Sequence, residues 1–204
     1  MTGIKICGIT RKKDIRNAVK LRVNALGFIL ADSPRKISLK KAGELMENIP
    51  PFISRVGVVV DPEKSFLKKI VKGRLFDYIQ FHGNESPALF ENFPLKIIKA
   101  VSIKEKDDLN VIAKYKNKVD YFLFDTKTNN QKGGTGKTFE WDLLNKMDIQ
   151  SPYILAGGLG PDNIFKALEK LNPAAVDLNS CLEDSPGKKN NVLMKKAVKK
   201  IYSF

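Results

Sequence analysis

Eight times along the chain a short apolar run is followed by a longer segment whose apolar residues recur at helical spacing. The runs occupy 4–8 (IKICG), 25–30 (ALGFIL), 54–60 (SRVGVVV), 76–82 (FDYIQFH), 96–102 (KIIKAVS), 120–125 (DYFLFD), 153–156 (YILA) and 174–178 (AAVDL). A strand apolar on both faces has to be covered on both, and helices between successive strands supply that cover in a parallel α/β sheet. Alternation alone leaves an open doubly wound sheet and a closed barrel both available. The number eight favours a (βα)8 TIM barrel, and 204 residues falls at the lower end of the roughly 200–400 such barrels span. No linker or low-complexity tract interrupts the pattern, so 1–204 reads as a single domain.

The intervening segments carry the expected stripes. Ile15, Ala18, Val19 and Val23 share one face. Ser38 stands as an N-cap before Ala42, Leu45 and Met46. Phe66, Leu67, Ile70 and Val71 mark a helix over 63–72, and a short helix is expected at 86–92. Further helices are expected over 105–116, with Leu109, Ile112 and Ala113 inward, and from about Phe139 to Met147. Over 161–171, Pro161 sits where a first-turn proline belongs and Ile164, Ala167, Leu168 and Leu171 form the stripe. A last helix, carrying Val192, Leu193, Ala197, Val198 and Ile201, ends near Ile201.

Polar residues, glycines and a proline cluster at one end of this arrangement. Cys7, Ser33, Pro34, Arg35, Asp61, His82, Gly83, Asp125, Gly157, Gly158, Ser180 and Cys181 all fall at or just beyond the carboxyl ends of the strands. That is the face on which barrel enzymes build their active sites. With 36 Lys and Arg against 22 Asp and Glu, the net charge is +14, which attracts phosphate-bearing molecules. The excess is mostly lysine spread along the whole chain without aromatic interleaving, the pattern of a solvated surface. A basic nucleic-acid-binding protein is the alternative; it would require steeply salt-dependent binding. Two cysteines and an opening without a basic leader argue for a reducing cytoplasm, and no apolar stretch approaches the ~20 residues a membrane-spanning helix needs.

One local motif points elsewhere. NQKGGTGKT, residues 130–138, resembles the phosphate loop of deviant Walker-type ATPases. Such a loop has to hang directly between strand and helix so that its backbone N–H groups wrap the phosphates. Here a polar spacer, DTKTNNQK, separates the strand end from Gly133, and the apolar strand ending in an acid, FLFD, lies upstream of the glycines. An ATP-binding role is therefore set aside.

The chain carries KICGIT (5–10), SPR (33–35), VGVVVD (56–61), QFHG (80–83), GGTGKTFEW (133–141), LAGGLGPDN (155–163) and a polar run from Asp177 to Lys189. The resemblance these motifs carry, over essentially the whole length, is to the phosphoribosylanthranilate isomerases of tryptophan biosynthesis. It implies an Amadori rearrangement of N-(5′-phosphoribosyl)anthranilate to 1-(2-carboxyphenylamino)-1-deoxy-D-ribulose 5-phosphate, without metal or organic cofactor. Opening the ribose needs an acid at the ring oxygen, and the next step needs a base at C2′. The resemblance implies Asp125 as general acid and Cys7 as general base. It also implies that Arg35 holds the anthranilate carboxylate, that Asp177 meets polar groups of the substrate, and that His82 shapes the pocket. Phosphate is expected at the backbone around Gly157, Gly158, Ser180 and Cys181, helped by a short helix N-terminus near Glu183. Gly133, Gly134 and Gly136 are expected in a loop over the substrate. The partner is a small phosphosugar, with no nucleic acid and no membrane, and both a monomer and a homodimer remain open.

Two departures stand out: Asn179, Ser180 and Cys181 replace the usual two serines and glycine, and Asn190 stands where aspartate is common. Adjacent first and last strands would put Cys7 and Cys181 on the same face. A related phosphosugar isomerase of histidine-type metabolism is the other enzymatic reading; its two-fold-repeated barrels carry an aspartate in each half, whereas here the first strand ends in Cys7.

Overall fold

The computed structural model describes residues 1–47, 49–103, 110–125, 141, 144 and 152–204. The eight expected strands form: β1 (Gly3–Ile6), β2 (Ala25–Ile29), β3 (Ser54–Val59), β4 (Tyr78–Phe81), β5 (Lys96–Ser102), β6 (Tyr121–Asp125), β7 (Tyr153–Ala156) and β8 (Ala175–Leu178). All pair in parallel, in sequence order, and β1 closes against β8 with Lys5 opposite Asp177 and Ile6 opposite Leu178. Closure leaves no free sheet edge. The choice left open by alternation is thus resolved as a barrel.

Side chains alternate between the lumen and the helix layer because the strand period is two. Outward residues such as Ile4, Ile6, Leu26, Phe28, Phe81 and Phe124 are fully buried under the helices. Inward Val56, Ile98, Ala100, Leu123, Ile154 and Ala156 form a separate plug inside the barrel. Above that plug the lumen turns polar, with Lys5, Gln80 and Asp177 all buried. This polar layer is the floor of the site described below.

The helices follow the expected stripes with informative exceptions. Lys12–Lys20 buries Ile15 and Ala18, together with Asp14, whose carboxylate pairs with Arg11. Leu39–Met46 is capped by Ser38, which accepts from the Lys41 N–H at 3.1 Å. Lys64–Gly73 ends at Arg74 in the left-handed conformation. The short helix expected at 86–92 is a single 3-10 turn, Pro87–Phe90. Of the helix expected over 105–116, Asn110–Tyr115 is helical and 105–109 lie outside the described residues. Between Phe139 and Met147 only Trp141 and Leu144 are described, both helical.

The helix expected over 161–171 runs instead over Ile164–Lys170. Pro161 is therefore a turn residue, not a first-turn proline. The Asn163 side chain explains the delay: it accepts from the Gly160 N–H at 2.9 Å and donates to the Gly158 carbonyl at 3.0 Å, folding 158–163 into a closed turn. The last helix, Asn191–Tyr202, starts at a strong cap, where Asn190 Oδ1 accepts from the N–H groups of Val192 (2.8 Å) and Leu193 (3.1 Å). Asn190→Ala is expected to cost about 1 kcal/mol, the usual value of a lost N-cap. A lower urea midpoint at unchanged slope would report it.

Candidate active site

Four strands deliver the chemistry by the same two-residue alternation. On β1 and its extension Lys5 and Cys7 point inward, on β4 Gln80 and His82, on β6 Leu123 and Asp125, and on β8 Asp177 and Asn179. Above the polar floor a cavity of about 230 Å³ opens at the carboxyl-terminal mouth, lined by Cys7, Arg35, His82, Asp125 and Asp177. Gly157, Gly158 and Ser180 close it on the β7–β8 side. The expected catalytic pair, Cys7 and Asp125, and the expected substrate-binding Arg35, His82 and Asp177 therefore border one cavity. Cys181 is not among the lining residues. It is exposed, with its thiol donating to the Gly158 carbonyl at 3.2 Å, whereas Cys7 is buried.

Cys7 owes its place to the backbone beside it. A Cβ on Gly27 of β2 would come within 2.6 Å of the Cys7 sulfur, so only glycine leaves room for the thiol. Gly27→Ala is expected to displace the sulfur and lower kcat/KM by about 10²-fold, the scale of an ångström-sized misplacement of a reacting group. Steady-state kinetics beside a thermal melt would check that the loss exceeds any loss of folded protein. Burial pushes the Cys7 thiol up from its ordinary pKa, the Lys5 ammonium pulls it back, and Asp177 pushes it up again.

Asp125 ends β6, and its Oδ2 lies 3.6 Å from His82 Nε2. His82 in turn faces Gln80 across 3.4 Å. Asp177 Oδ2 accepts from Lys5 Nζ at 2.6 Å, while its Oδ1 is buried with no partner among the described residues. Asp177 borders the cavity, and a buried acceptor without a donor suits a hydroxyl of a bound molecule.

Arg35 is held from one edge. Its Nε donates to both oxygens of Glu183 (3.0 and 2.9 Å) and its Nη2 to Oε2 (2.6 Å), leaving Nη1 outside the pair. Lys189 Nζ reaches the same carboxylate at 2.8 Å and Asn179 Oδ1 at 2.8 Å. Burial alone would raise the Glu183 carboxyl, but hydrogen bonds from Arg35 and Lys189 outweigh it and hold it below the ordinary carboxylate range. The short helix expected near Glu183 is the 3-10 turn Ser180–Leu182; Glu183 itself opens a small antiparallel ribbon, Glu183–Ser185 against Lys188–Lys189. The carboxylate thus serves as an anchor for two cations and does not sit at a helix start.

After β7 the chain turns through Gly157 (φ 100°) and Gly158 (φ 63°), conformations that side chains strain against. Gly157, Gly158 and Leu159 after β7 and Asn179 and Ser180 after β8 form one side of the cavity rim. Asp61, also at a strand end, is exposed and ties its loop to the one after β4, accepting from the Asn84 N–H at 2.7 Å. Gly133, Gly134 and Gly136 lie outside the described residues. No group of three His, Cys, Asp or Glu among the described residues is placed to hold a metal ion, and none of the helices they form is long and apolar enough to cross a membrane.

Sequence reasoning gave no role to Lys5, Gln80 and Lys189, noted Asn179 only as a departure from the family pattern, and placed Glu183 near a helix start. Lys5 and Gln80 had a usable signal: each is a polar residue inside an apolar strand, two positions before a residue at the strand's mouth. Glu183 had none, because its partner Arg35 is distant in sequence.

Comparison with known proteins bears on the family and the fold. A family model described as N-(5'phosphoribosyl)anthranilate (PRA) isomerase matches residues 4–200. The N-(5'-phosphoribosyl)anthranilate isomerase of Petrotoga mobilis is 51% identical over 204 residues, covering 100% of this chain and 99% of that one. The crystal structure of phosphoribosyl anthranilate isomerase from Thermotoga maritima superposes with a TM-score of 0.91 at 33% identity, over 100% of both chains. A phosphoribosyl anthranilate isomerase in complex with reduced 1-(o-carboxyphenylamino)-1-deoxyribulose 5-phosphate superposes with a TM-score of 0.88 at 31% identity, again over 100% of both.

Proposed function

This chain belongs to the N-(5'-phosphoribosyl)anthranilate isomerase family, and from that premise we propose an Amadori rearrangement carried by Asp125 as general acid and Cys7 as general base. The observation that carries the reading is the meeting of these two residues, from β6 and β1, at one cavity. Asp125 gives its proton to the furanose ring oxygen as the C1′–O bond breaks, leaving a protonated Schiff base. The Cys7 thiolate then removes the proton from C2′, and the electron pair moves through C1′ to the nitrogen. The enolamine tautomerises to the 1-deoxyribulose 5-phosphate. Proton transfers alone complete the reaction, so it asks for no resident cofactor.

The remaining lining residues bind and orient. Arg35, fixed along its Nε–Nη2 edge by Glu183, offers Nη1 to the anthranilate carboxylate. Asp177 Oδ1 accepts from a hydroxyl of the opened sugar. The amides around Gly157, Gly158 and Ser180 receive the phosphate, where a backbone without Cβ permits close approach. His82 holds the Asp125 carboxyl toward the ring oxygen. The enzyme would serve tryptophan biosynthesis in the cytoplasm.

The test is turnover of enzymatically generated N-(5′-phosphoribosyl)anthranilate, followed by loss of its fluorescence. Consumption by the purified protein is the expected outcome. No turnover, with activity instead on a histidine-pathway phosphoribosyl substrate, would overturn the reading.

A further inference from the structure

Lys5 is a buried ammonium in the middle of an apolar strand, 3% exposed. Burying such a charge costs several kcal/mol even when it is paired, and apolar residues of similar size often fill such positions at no loss of stability. A barrel floor therefore has no structural need for it. Its anchors are specific: Lys5 Nζ donates to Asp177 Oδ2 at 2.6 Å and to Gln80 Oε1 at 2.9 Å, and both partners line the cavity. An ammonium carries three donors, and these two bonds leave one. Cys7 follows two residues later on the same inward face, a rise of roughly 6.6 Å along the strand, within reach of a lysine side chain.

We propose that Lys5 is a positioning residue for the isomerisation: anchored by Gln80 and Asp177, its ammonium stands beneath the Cys7 sulfur and supplies the positive charge that a buried thiolate requires. The inference rests on the reading of Cys7 as the base. Lys5 gains and loses no proton in the reaction. The S–H bond forms as the C2′–H bond breaks, and the ammonium compensates the negative charge that the sulfur carries before that step.

The charges facing Cys7 come from four elements. Lys5 on β1 and Lys189 on the ribbon after β8 favour the thiolate, Asp177 on β8 opposes it, and Arg35 after β2 adds a further positive charge. Burial alone would lower the Lys5 pKa, but Asp177 and Cys7 outweigh it, so the lysine keeps its charge through neutral pH.

The test reads the thiol directly, without substrate. In a Cys181→Ser background, the pH dependence of Cys7 alkylation by iodoacetamide is measured for the parent, Lys5→Met, Asp177→Asn and the double variant Lys5→Met/Asp177→Asn. Lys5→Met is expected to move the titration to higher pH, by about one unit or more, which is about tenfold less thiolate at a fixed pH below it. Asp177→Asn is expected to move it to lower pH. If the ammonium stands beneath the sulfur, loss of both charges should still leave the double variant titrating above the parent. The double variant carries no orphaned buried carboxylate, so it decides the question if Lys5→Met alone fails to fold. A double variant that titrates with the parent, or an upward or absent shift in Asp177→Asn, would overturn the proposal. If Cys7→Ala kept full turnover, the assignment of the base would fail, whereas the titration would still decide the Lys5–Cys7 coupling.

Discussion

Cys7→Ala is expected to lower kcat/KM by a factor of roughly 10²–10⁴, the usual contribution of a positioned proton-transfer group. The loss should fall on kcat, since in the proposed mechanism the thiolate takes the C2′ proton while the binding groups stay in place. Removal of one buried sulfur leaves only a small void next to Gly27, so the variant should fold. Cys7→Ser separates packing from chemistry: it preserves nearly the same volume but offers a hydroxyl that ionises far above the working pH. Serine should therefore be almost as impaired as alanine. Steady-state kinetics on both variants, with melting curves alongside, would check this.

Asp125→Asn is expected to produce a loss of the same order, roughly 10²–10⁴ in kcat/KM, for a different reason. The amide matches the carboxyl in shape and can still face His82, but it has no proton to give the ring oxygen. Ring opening becomes the slow step. Steady-state kinetics on the variant, with a melting curve beside them, would check the loss, and wild-type kcat/KM in Asp125→Asn would assign the acid to another group.

The fold was legible because each strand is apolar on both faces, which leaves few arrangements other than a helix-covered parallel sheet, and the eightfold count favoured closure. What closure does to the lumen was not legible. Lys5 and Gln80 read as single polar interruptions of apolar runs, and only barrel closure, with Lys5 opposite Asp177 and its Nζ bonded to Gln80 Oε1, makes them one layer. The start of the helix at Ile164 was missed because Pro161 is a good first-turn residue in isolation. The competing Asn163 bonds to Gly158 and Gly160 appear only once the loop is folded. The site residues at strand ends were identified by position and family resemblance, and the structure brings most of them to one cavity. Cys181 is the departure: its neighbour Ser180 lines the cavity, while its own side chain packs over Gly158 and Gly160. Glu183 could not be found from sequence, since its role exists only through the approach of Arg35 and Lys189.

The division of labour between the two proposed proton-transfer groups is open to one direct measurement. Single-turnover rates with N-(5′-phosphoribosyl)anthranilate deuterated at C2′ would be compared among the wild type, Cys7→Ala and Asp125→Asn. Removal of the base should make C2′ proton abstraction limiting and give Cys7→Ala a large primary isotope effect, whereas removal of the acid should make ring opening limiting and suppress the effect in Asp125→Asn. Equal isotope effects in the two variants, or wild-type rates in either, would contradict the account.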